Sequence, residues 1–316
     1  MGTDTRTFKK LRISLIDTCN LACTYCVPEK LGLHVPQKES NHLNTDDYLR
    51  IVQQLHTNLH LSKIRLTGGE PLLYFDIENL IAGLKNLGID DIGMTTNGYF
   101  LKKTAKNLKS AGLSHINISL DALNDDLFKK MTRKPYLKKT LEGIDAALNA
   151  GFDIKLNAVV LKGINESQIL PLLKYGMERG IPVRFLELMK MGYLHHSFKN
   201  YYFSQEDILA NIEQEYGVMR TKHDLGSTAN YWQVENTNYQ FGIIANESEP
   251  FCSDCDRLRL DSYGNLFGCI SAAKGIPVLA AVNRNESLTP ILAAALKQKQ
   301  KLKFIGSELS MQYLGG

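Results

Sequence analysis

Six cysteines are the residues of this 316-residue chain whose type and spacing are best suited to chemistry. They form two groups of three, with none left over: Cys19, Cys23 and Cys26, and Cys252, Cys255 and Cys269. Thiolates at short spacing bind zinc or an iron–sulfur cluster, and structural sites of either kind usually take four protein ligands. Three ligands therefore predict a metal centre with one coordination position open to a substrate.

The two groups differ in how specific their spacing is. The first has the pattern C-x3-C-x2-C and directly follows an apolar, strand-like stretch, Leu11 to Ile16. The second, C-x2-C-x13-C, taken alone fits a structural zinc site as well as an iron–sulfur cluster. A non-catalytic zinc-binding module therefore stays open as an alternative.

The first pattern resembles the signature of the radical S-adenosylmethionine superfamily. In that superfamily three cysteines bind a 4Fe-4S cluster, and the fourth iron chelates the amino and carboxylate groups of S-adenosylmethionine. Tyr25, between the second and third cysteines, stands where the superfamily places a residue near the adenine. The resemblance thus implies an iron–sulfur enzyme that uses S-adenosylmethionine as a cofactor.

Composition and charge argue against nucleic-acid-binding, secreted and membrane proteins. The formal charge of +4, with no run of basic residues, gives no reason to expect nucleic acid as a partner. The first ten residues lack the apolar stretch of a secretory signal, and no uncharged apolar run is long enough to cross a bilayer. We therefore expect a cytoplasmic protein that binds no membrane, and its thiols are expected to ligate metal rather than form disulfides.

Strand-like runs that alternate with helical patterns predict an α/β fold with a parallel sheet. The predicted strands are Arg12 to Ile16, Lys63 to Thr67, Ile92 to Thr95, His115 to Asp121, Ile154 to Val160 and Val183 to Leu188. Helical spacing follows Thr45, and it returns before Gly151, a helix-stop residue.

Alternation along these strands places polar side chains together on single faces. The polar positions are Arg12 and Ser14, Lys63, Arg65 and Thr67, Asn117, Ser119 and Asp121, Lys155 and Asn157, and Arg184. Parallel strands are normally apolar on both faces, so a polar wall indicates a ligand chamber. Unpaired charges of one sign are costly to bury, which predicts a phosphate-rich substrate for the five cations, Arg12, Lys63, Arg65, Lys155 and Arg184.

The segment Thr67-Gly68-Gly69-Glu70-Pro71 follows the second predicted strand. Two glycines let the backbone approach a ligand, and the Glu70 carboxylate can accept from an ammonium group. Alone this is an ordinary turn, but after a strand it resembles the superfamily element that binds the amino group of S-adenosylmethionine. Gly68, Gly69 and Glu70 are therefore expected to bind the cofactor.

The C-terminal cysteine group sharpens the resemblance. Cys252 to Arg259, with Cys269, resembles the second cluster site of the GTP 3′,8-cyclase family, also called molybdenum cofactor biosynthesis protein A. The similarity runs from Arg12 to Gly316, although Thr18 and Val27 stand where we expect Arg and Met. It is carried by Arg65 to Leu73, Thr96 to Gly98, Ser119 to Asp121, Lys155 to Asn157, Arg184 to Met189 and the terminal Gly315-Gly316.

This family resemblance implies an incomplete (β/α)6 barrel in residues 1–205, closed by a smaller C-terminal region, residues 206–316, that holds a second 4Fe-4S cluster. It implies GTP contacts at Arg12, Arg65, Thr96, Lys155, Arg257 and Arg259. It implies S-adenosylmethionine contacts at Tyr25, Gly69, Ser119 and Met189. Arg257, Arg259 and Gly316 are expected to serve catalysis, the last because the tail would enter the site.

The implied reaction begins with cleavage of S-adenosylmethionine to a 5′-deoxyadenosyl radical, which takes hydrogen from C3′ of GTP. The sugar radical then attacks C8 of the purine, and reduction by one electron with protonation gives 3′,8-cyclo-7,8-dihydro-GTP, a precursor of molybdenum cofactor. An electron donor of flavodoxin-like or ferredoxin-like type is expected, and a homodimer is left open. Another twin-cluster radical enzyme, such as a peptide maturase, is the alternative within the enzyme class.

Overall fold

Six parallel strands form the centre of the fold in the computed structural model, which describes residues 6–28, 42–222 and 227–315. They are β1 (Lys10–Ser14), β2 (Lys63–Thr67), β3 (Ile92–Thr96), β4 (His115–Ser119), β5 (Asp153–Val160) and β6 (Val183–Glu187). Each pairs in parallel with the next along the chain. The predicted strands are thereby confirmed, with ends that differ by at most two residues.

Helices connect consecutive strands, as a parallel sheet requires. They are α1 (Thr45–Leu59), α2 (Ile77–Asn86), α3 (Leu101–Ala111), α4 (Asp125–Thr132), α5 (Leu137–Asn149) and α6 (Ile169–Arg179). The start of α1 is defined by a capping box, in which the Asn44 side chain accepts from the Asp47 N–H and the Asp47 carboxylate accepts from the Asn44 N–H. The same turn carries Asp46, whose charge suits a helix N-terminus.

Alternate residues of the strands face these helices. In β5, Ile154, Leu156 and Ala158 are buried in the main hydrophobic core, and each fully buried aliphatic side chain stabilises the fold by about 1.5–3 kcal/mol. Lys155 and Asn157 point to the other, half-buried face. We call this second face of the sheet the chamber face.

The C-terminal part of the chain extends the same sheet at both of its edges. Its elements are α7 (Phe198–Tyr201), α8 (Gln205–Ile212), β7 (Val218–Arg220), β8 (Asn230–Val234), β9 (Gln240–Ile244), β10 (Arg257–Leu260), β11 (Asn265–Phe267), β12 (Ile276–Pro277), α9 (Leu279–Asn283), α10 (Thr289–Lys297) and α11 (Met311–Leu314). The strand order is β12-β11-β10-β1-β2-β3-β4-β5-β6-β9-β8-β7. The sheet is therefore open, which confirms the incomplete barrel.

The domain boundary proposed between residues 205 and 206 falls at the start of α8 and stays a prediction. Strands from both sides of that boundary share one sheet, because β9 pairs with β6 and β10 pairs with β1, both in parallel. Within the described ranges, no helix combines the length and the apolar character needed to span a membrane.

Candidate functional site

The first cysteine group follows the carboxyl end of β1, at the edge of the sheet where parallel strands usually build a site. Cys19, Cys23 and Cys26 line a cavity of about 190 Å³. Tyr25, between the second and third cysteines, also lines it. Other lining residues come from the ends of the neighbouring strands and from α11: Thr67, Gly68, Gly69, Thr96, Asn97, Ser119, Asp121, Asn157, Glu187, Met189, Met311 and Gln312. The structure thus brings five of the six predicted cofactor-binding residues together with this group.

The two glycines after β2 lie against the backbone that leads into the cysteine group. The Gly69 N–H donates to the Ile16 carbonyl at 2.6 Å. A Cβ atom on Gly69 would lie 2.2 Å from the Thr18 carbonyl oxygen, and one on Gly68 would lie 2.4 Å from the Ile16 carbonyl oxygen. Any larger residue here would therefore displace the backbone before Cys19, a requirement that the sequence did not reveal.

Glu70 links the ends of β2 and β3 rather than lining the cavity. Its buried carboxylate accepts from the Thr96 hydroxyl at 2.7 Å, the Asn97 N–H at 2.8 Å and the Leu72 N–H at 3.1 Å. Burial raises the pKa of this carboxyl to about 7. Its contact with a cofactor ammonium group remains a prediction.

Tyr25 is held by a carboxylate that sequence reasoning did not include among the site residues. Its hydroxyl donates to Asp121 Oδ2 at 2.8 Å, and Asp121 Oδ1 accepts from the Val159 N–H at the same distance. Burial raises the pKa of Asp121 to about 6. The available signal was the position of Asp121 two residues beyond Ser119 on the polar face.

Three arginines stand side by side on the chamber face. Arg12 of β1 pairs with Arg259 of β10 on one side and with Arg65 of β2 on the other. Burial lowers the pKa of Arg12 well below its usual value, and repulsion from Arg259 and other arginines adds to this. Burial, with repulsion from a further arginine, also lowers the pKa of Arg65 and of Arg259 to about 10.

The remaining predicted cations lie on the same face. Arg184 is paired with Asn157, and its Nε donates to Asn157 Oδ1 at 3.0 Å. Burial, and then repulsion from Arg184, lowers the pKa of Lys155. Lys63 makes an ion pair with Asp91 at 2.8 Å. The five predicted cations therefore share one face of the sheet, but Lys63 is paired with a carboxylate and is not an unpaired charge. The mutual repulsion of the other four favours a polyanionic ligand.

The second cysteine group lies at the opposite end of the β1–β10 pair. Cys252 and Cys255 precede β10, whose first residue, Arg257, pairs with Lys10 at the start of β1. The antiparallel strand β11 then returns the chain, so that Cys269 comes back to the same end. The five residues of β1, about 13–17 Å of strand, separate the two groups.

A buried lysine stabilises the second group. Lys299 Nζ lies 3.1 Å from Cys255 Sγ and 2.7 Å from the Arg257 carbonyl oxygen, to which it donates. Burial raises the pKa of Cys255, but the cations of Arg257 and Lys299 outweigh it, and the pKa is lowered to about 6. A thiolate is therefore favoured. Nothing in the lysine-rich sequence around Lys299 distinguished it from its exposed neighbours.

Another buried carboxylate holds the chain that leads to the second cysteine group. Glu187, at the end of β6, accepts from the Gln205 N–H at 2.8 Å and from the Glu247 and Ser248 N–H groups at 2.9 and 3.1 Å. Glu187 thereby joins the start of α8 and the loop before Cys252 to the central sheet.

The thiols of the first group fit an iron–sulfur cluster. Burial, with the charge of Glu70, raises the pKa of Cys19 to about 12, and burial raises that of Cys23, so both need a nearby positive centre to ionise. Among the described residues, no three His, Cys, Asp or Glu side chains converge on one metal ion. A 4Fe-4S cluster does not require such convergence, because each thiolate binds a different iron.

The C-terminal tail enters the chamber face between β1 and β10. The Gly315 carbonyl oxygen accepts from Arg259 Nη1 at 2.8 Å and from Arg12 Nη1 at 3.4 Å. Gly315 has a φ of 74°, and a Cβ there would lie 2.3 Å from Thr67 Cγ2, so only glycine fits. Gly316, the predicted catalytic end of the tail, lies outside the described residues.

The open sheet built on six parallel strands, the cysteine group after β1 and the match to a family model together define a radical S-adenosylmethionine enzyme. Residues 13–176 match the model of the radical SAM superfamily, and residues 181–305 match the model of Molybdenum Cofactor Synthesis C. Curated GTP 3′,8-cyclases are similar along the chain: that of Staphylococcus epidermidis is 37% identical over 98% of this chain and 97% of its own length. One from Staphylococcus aureus is 39% identical over 88% of this chain and 83% of its own. The chain belongs to the GTP 3′,8-cyclase family.

Solved structures show the same fold at much lower identity. Streptococcus suis SuiB bound to the precursor peptide SuiA has a TM-score of 0.66 and 17% identity, covering 93% of this chain and 68% of SuiB. SuiB bound to S-adenosylmethionine gives a TM-score of 0.65, also at 17% identity, covering 92% of this chain and 68% of SuiB. At this identity the likeness concerns the fold alone, so it does not favour a peptide substrate.

Proposed function

We propose that this protein is a GTP 3′,8-cyclase that converts GTP to 3′,8-cyclo-7,8-dihydro-GTP for molybdenum cofactor synthesis. The observation that carries the proposal is the row of Arg259, Arg12 and Arg65, which lies between two cysteine groups at opposite ends of one strand pair. A nucleoside triphosphate supplies the negative charge that this row lacks.

Each cysteine group would hold one 4Fe-4S cluster through three thiolates. The residues that would hold S-adenosylmethionine beside the first cluster are Tyr25, Gly68, Gly69, Glu70, Ser119 and Met189. Bound there, the cluster and the cofactor would supply the radical chemistry that takes hydrogen from C3′ of GTP. The protein's share is to bind, align and shield the reacting groups.

The cations of the chamber face divide this work. Those on β2, β5 and β6 would bind the triphosphate: Lys63, Arg65, Lys155 and Arg184. Arg12, Arg257 and Arg259 would bind GTP from the side of β1 and β10, and the Thr96 hydroxyl would contact it from the end of β3. Gly315 occupies the space beside Arg12 and Arg259, which supports a role of the tail in aligning the ribose.

The test is anaerobic incubation of the reconstituted protein with dithionite, S-adenosylmethionine and GTP. We expect 5′-deoxyadenosine and the cyclised nucleotide, both detected by liquid chromatography and mass spectrometry. Formation of 5′-deoxyadenosine without GTP conversion would contradict GTP as the substrate but would still support radical cleavage of S-adenosylmethionine. Zinc in place of iron and sulfide in anaerobically purified protein would overturn both.

We further propose that the enzyme works in the cytoplasm and receives electrons from a flavodoxin-like or ferredoxin-like protein. The reason is chemical: all six cysteines are free of disulfides, and two oxygen-sensitive clusters bound to them would need a reducing compartment. Replacement of dithionite by a reduced flavodoxin or a reduced ferredoxin in the same assay tests the donor. No turnover with either protein would contradict this part of the proposal.

A further inference from the structure

His115 lies on β4 in the same row of the sheet as the arginines of the chamber face. Arg65 of β2 is paired with Gly93 of β3, and Gly93 is paired with His115. The His115 side chain is 18% exposed, and its Nε2 lies 2.8 Å from Arg65 Nη2. His115 thus reaches across one intervening strand to the guanidinium group.

The Arg65 guanidinium is held by two acceptors from the strands beside it. Its Nη1 donates to the Met94 carbonyl oxygen at 3.2 Å, and its Nη2 donates to His115 Nε2. An arginine cannot give up its proton, so Nε2 must be the acceptor and the ring proton belongs on Nδ1. Asp91 Oδ1 lies 3.3 Å from Nδ1 without forming a hydrogen bond, and its negative charge favours a proton on that nitrogen.

Asp91 extends the contact to a second cation of the chamber face. Its Oδ2 makes an ion pair with Lys63 Nζ at 2.8 Å. The four side chains therefore form one chain of contacts, from Lys63 through Asp91 and His115 to Arg65. This arrangement joins two predicted phosphate-binding residues, Lys63 and Arg65, through a histidine that is not one of the predicted site residues.

Space and charge both suit a neutral imidazole at this position. A Cβ on residue 93 would lie 2.3 Å from His115 Nε2, so Gly93 leaves the room that the ring occupies. The charged groups that face the ring are Arg65, Lys63, Lys155 and Asp91. Burial, and then repulsion from Arg65 and Lys63, lowers the pKa of His115 to about 3. At neutral pH the ring is therefore uncharged and accepts the hydrogen bond from Arg65 instead of repelling its guanidinium group.

We propose that His115 is a positioning residue that holds the Arg65 guanidinium in one orientation for the substrate triphosphate. The inference rests on the proposed function, since it names how a phosphate-binding residue of that site is oriented. Arginine loses considerable rotamer freedom when it is fixed. Because His115 and Met94 restrict Arg65 before GTP arrives, less of that freedom is lost on binding, and affinity rises.

The test is the affinity of the anaerobic holoenzyme for GTP, measured by calorimetry. His115→Phe keeps an aromatic ring but removes the acceptor, and we expect it to weaken GTP binding about tenfold. His115→Gln places an amide oxygen near the position of Nε2, and we expect affinity within about threefold of the wild type. His196→Phe, at an exposed histidine, is the matched control and should change nothing.

A double-mutant cycle with Arg65→Ala separates positioning from a general structural effect. If His115 acts through Arg65, His115→Phe costs no further affinity once Arg65 is alanine. Additive losses, or unchanged affinity of His115→Phe in the wild-type background, would overturn the inference. Should the phenylalanine variant misfold, His115→Ala in the same cycle gives the same test. Wild-type holoenzyme that fails to bind GTP would instead overturn the proposed function.

Discussion

The guanidinium of Arg259 donates from one nitrogen to two carbonyl oxygens of the C-terminal tail, that of Leu314 at 3.1 Å and that of Gly315 at 2.8 Å. Arg259 and Leu314 are both buried, so this contact packs α11 and Gly315 against the chamber face rather than leaving them at the surface. Ordering a residue costs about 1–2 kcal/mol, which such charge-assisted hydrogen bonds offset. The tail therefore packs against Arg259 and Arg12 of the chamber face.

Deletion of Gly315 and Gly316 should uncouple the two halves of the reaction. We expect 5′-deoxyadenosine still to form while GTP cyclisation falls about a hundredfold, because only alignment of the ribose is lost. Product analysis under single-turnover conditions, with iron content as a control for folding, measures both. Cyclisation at the wild-type rate would show that the tail is dispensable.

Replacement of Cys23 should remove the first cluster and leave the second. We expect about eight irons per chain in the reconstituted wild type and about four in Cys23→Ala, since each cysteine group is proposed to hold a four-iron cluster. S-adenosylmethionine cleavage should be abolished. Iron analysis and a cleavage assay check the two statements separately, and residual 5′-deoxyadenosine would contradict the assignment of this group.

Arg65→Ala and Lys155→Ala should each weaken GTP binding by about tenfold or more, because each removes a charge-assisted phosphate contact worth about 1.5–3 kcal/mol. Both clusters should remain, since neither side chain contacts a cysteine group. Lys103→Ala, at an exposed position on α3, is the matched control. Equal affinities of all four proteins by calorimetry would refute the polyanion chamber.

Lys299→Met should make the second cluster labile. The variant loses both the charge and the hydrogen bond that Lys299 directs at Cys255, and we expect iron to be lost to a chelator about tenfold faster. The exposed neighbour Lys301, changed to Met, is the control. Identical release of iron from the two variants would mean that the lysine contributes nothing to cluster retention.

His115 should make stability depend on pH in a defined direction. Folding lowers the pKa of His115 from 6.5 to about 3, so protonation of the ring opposes folding between these two values. The free energy of unfolding is therefore highest above about pH 6.5 and decreases as the pH falls. At about pH 5 the wild type should have lost about 1–2 kcal/mol more of its free energy of unfolding than His115→Gln has. Denaturant unfolding at neutral and acidic pH measures this difference, and parallel curves for the two proteins would contradict it.

Much of the site followed from sequence because its signals are local. Cysteine spacing, the glycine turn after β2 and strand alternation depend on neighbouring residues, so both cysteine groups and the polar faces were predictable. The common face of Arg12 and Arg65 needed only the two-residue period of a strand. Strand ends were less certain, because the last residues of a strand are set by the turns that follow.

Other relationships depended on tertiary structure. No local pattern predicts that β10 pairs with β1, yet this pairing brings Arg259 next to Arg12 across more than two hundred residues and separates the two cysteine groups. The contacts of Lys299 with Cys255, and of His115 with Arg65, likewise join residues whose sequence neighbours are unremarkable. Sequence alone predicted the two cysteine groups and the cations of the polar strand faces. Their arrangement was decided by strand pairing and burial, because hydrogen bonding and exclusion of water act between segments that are distant along the chain.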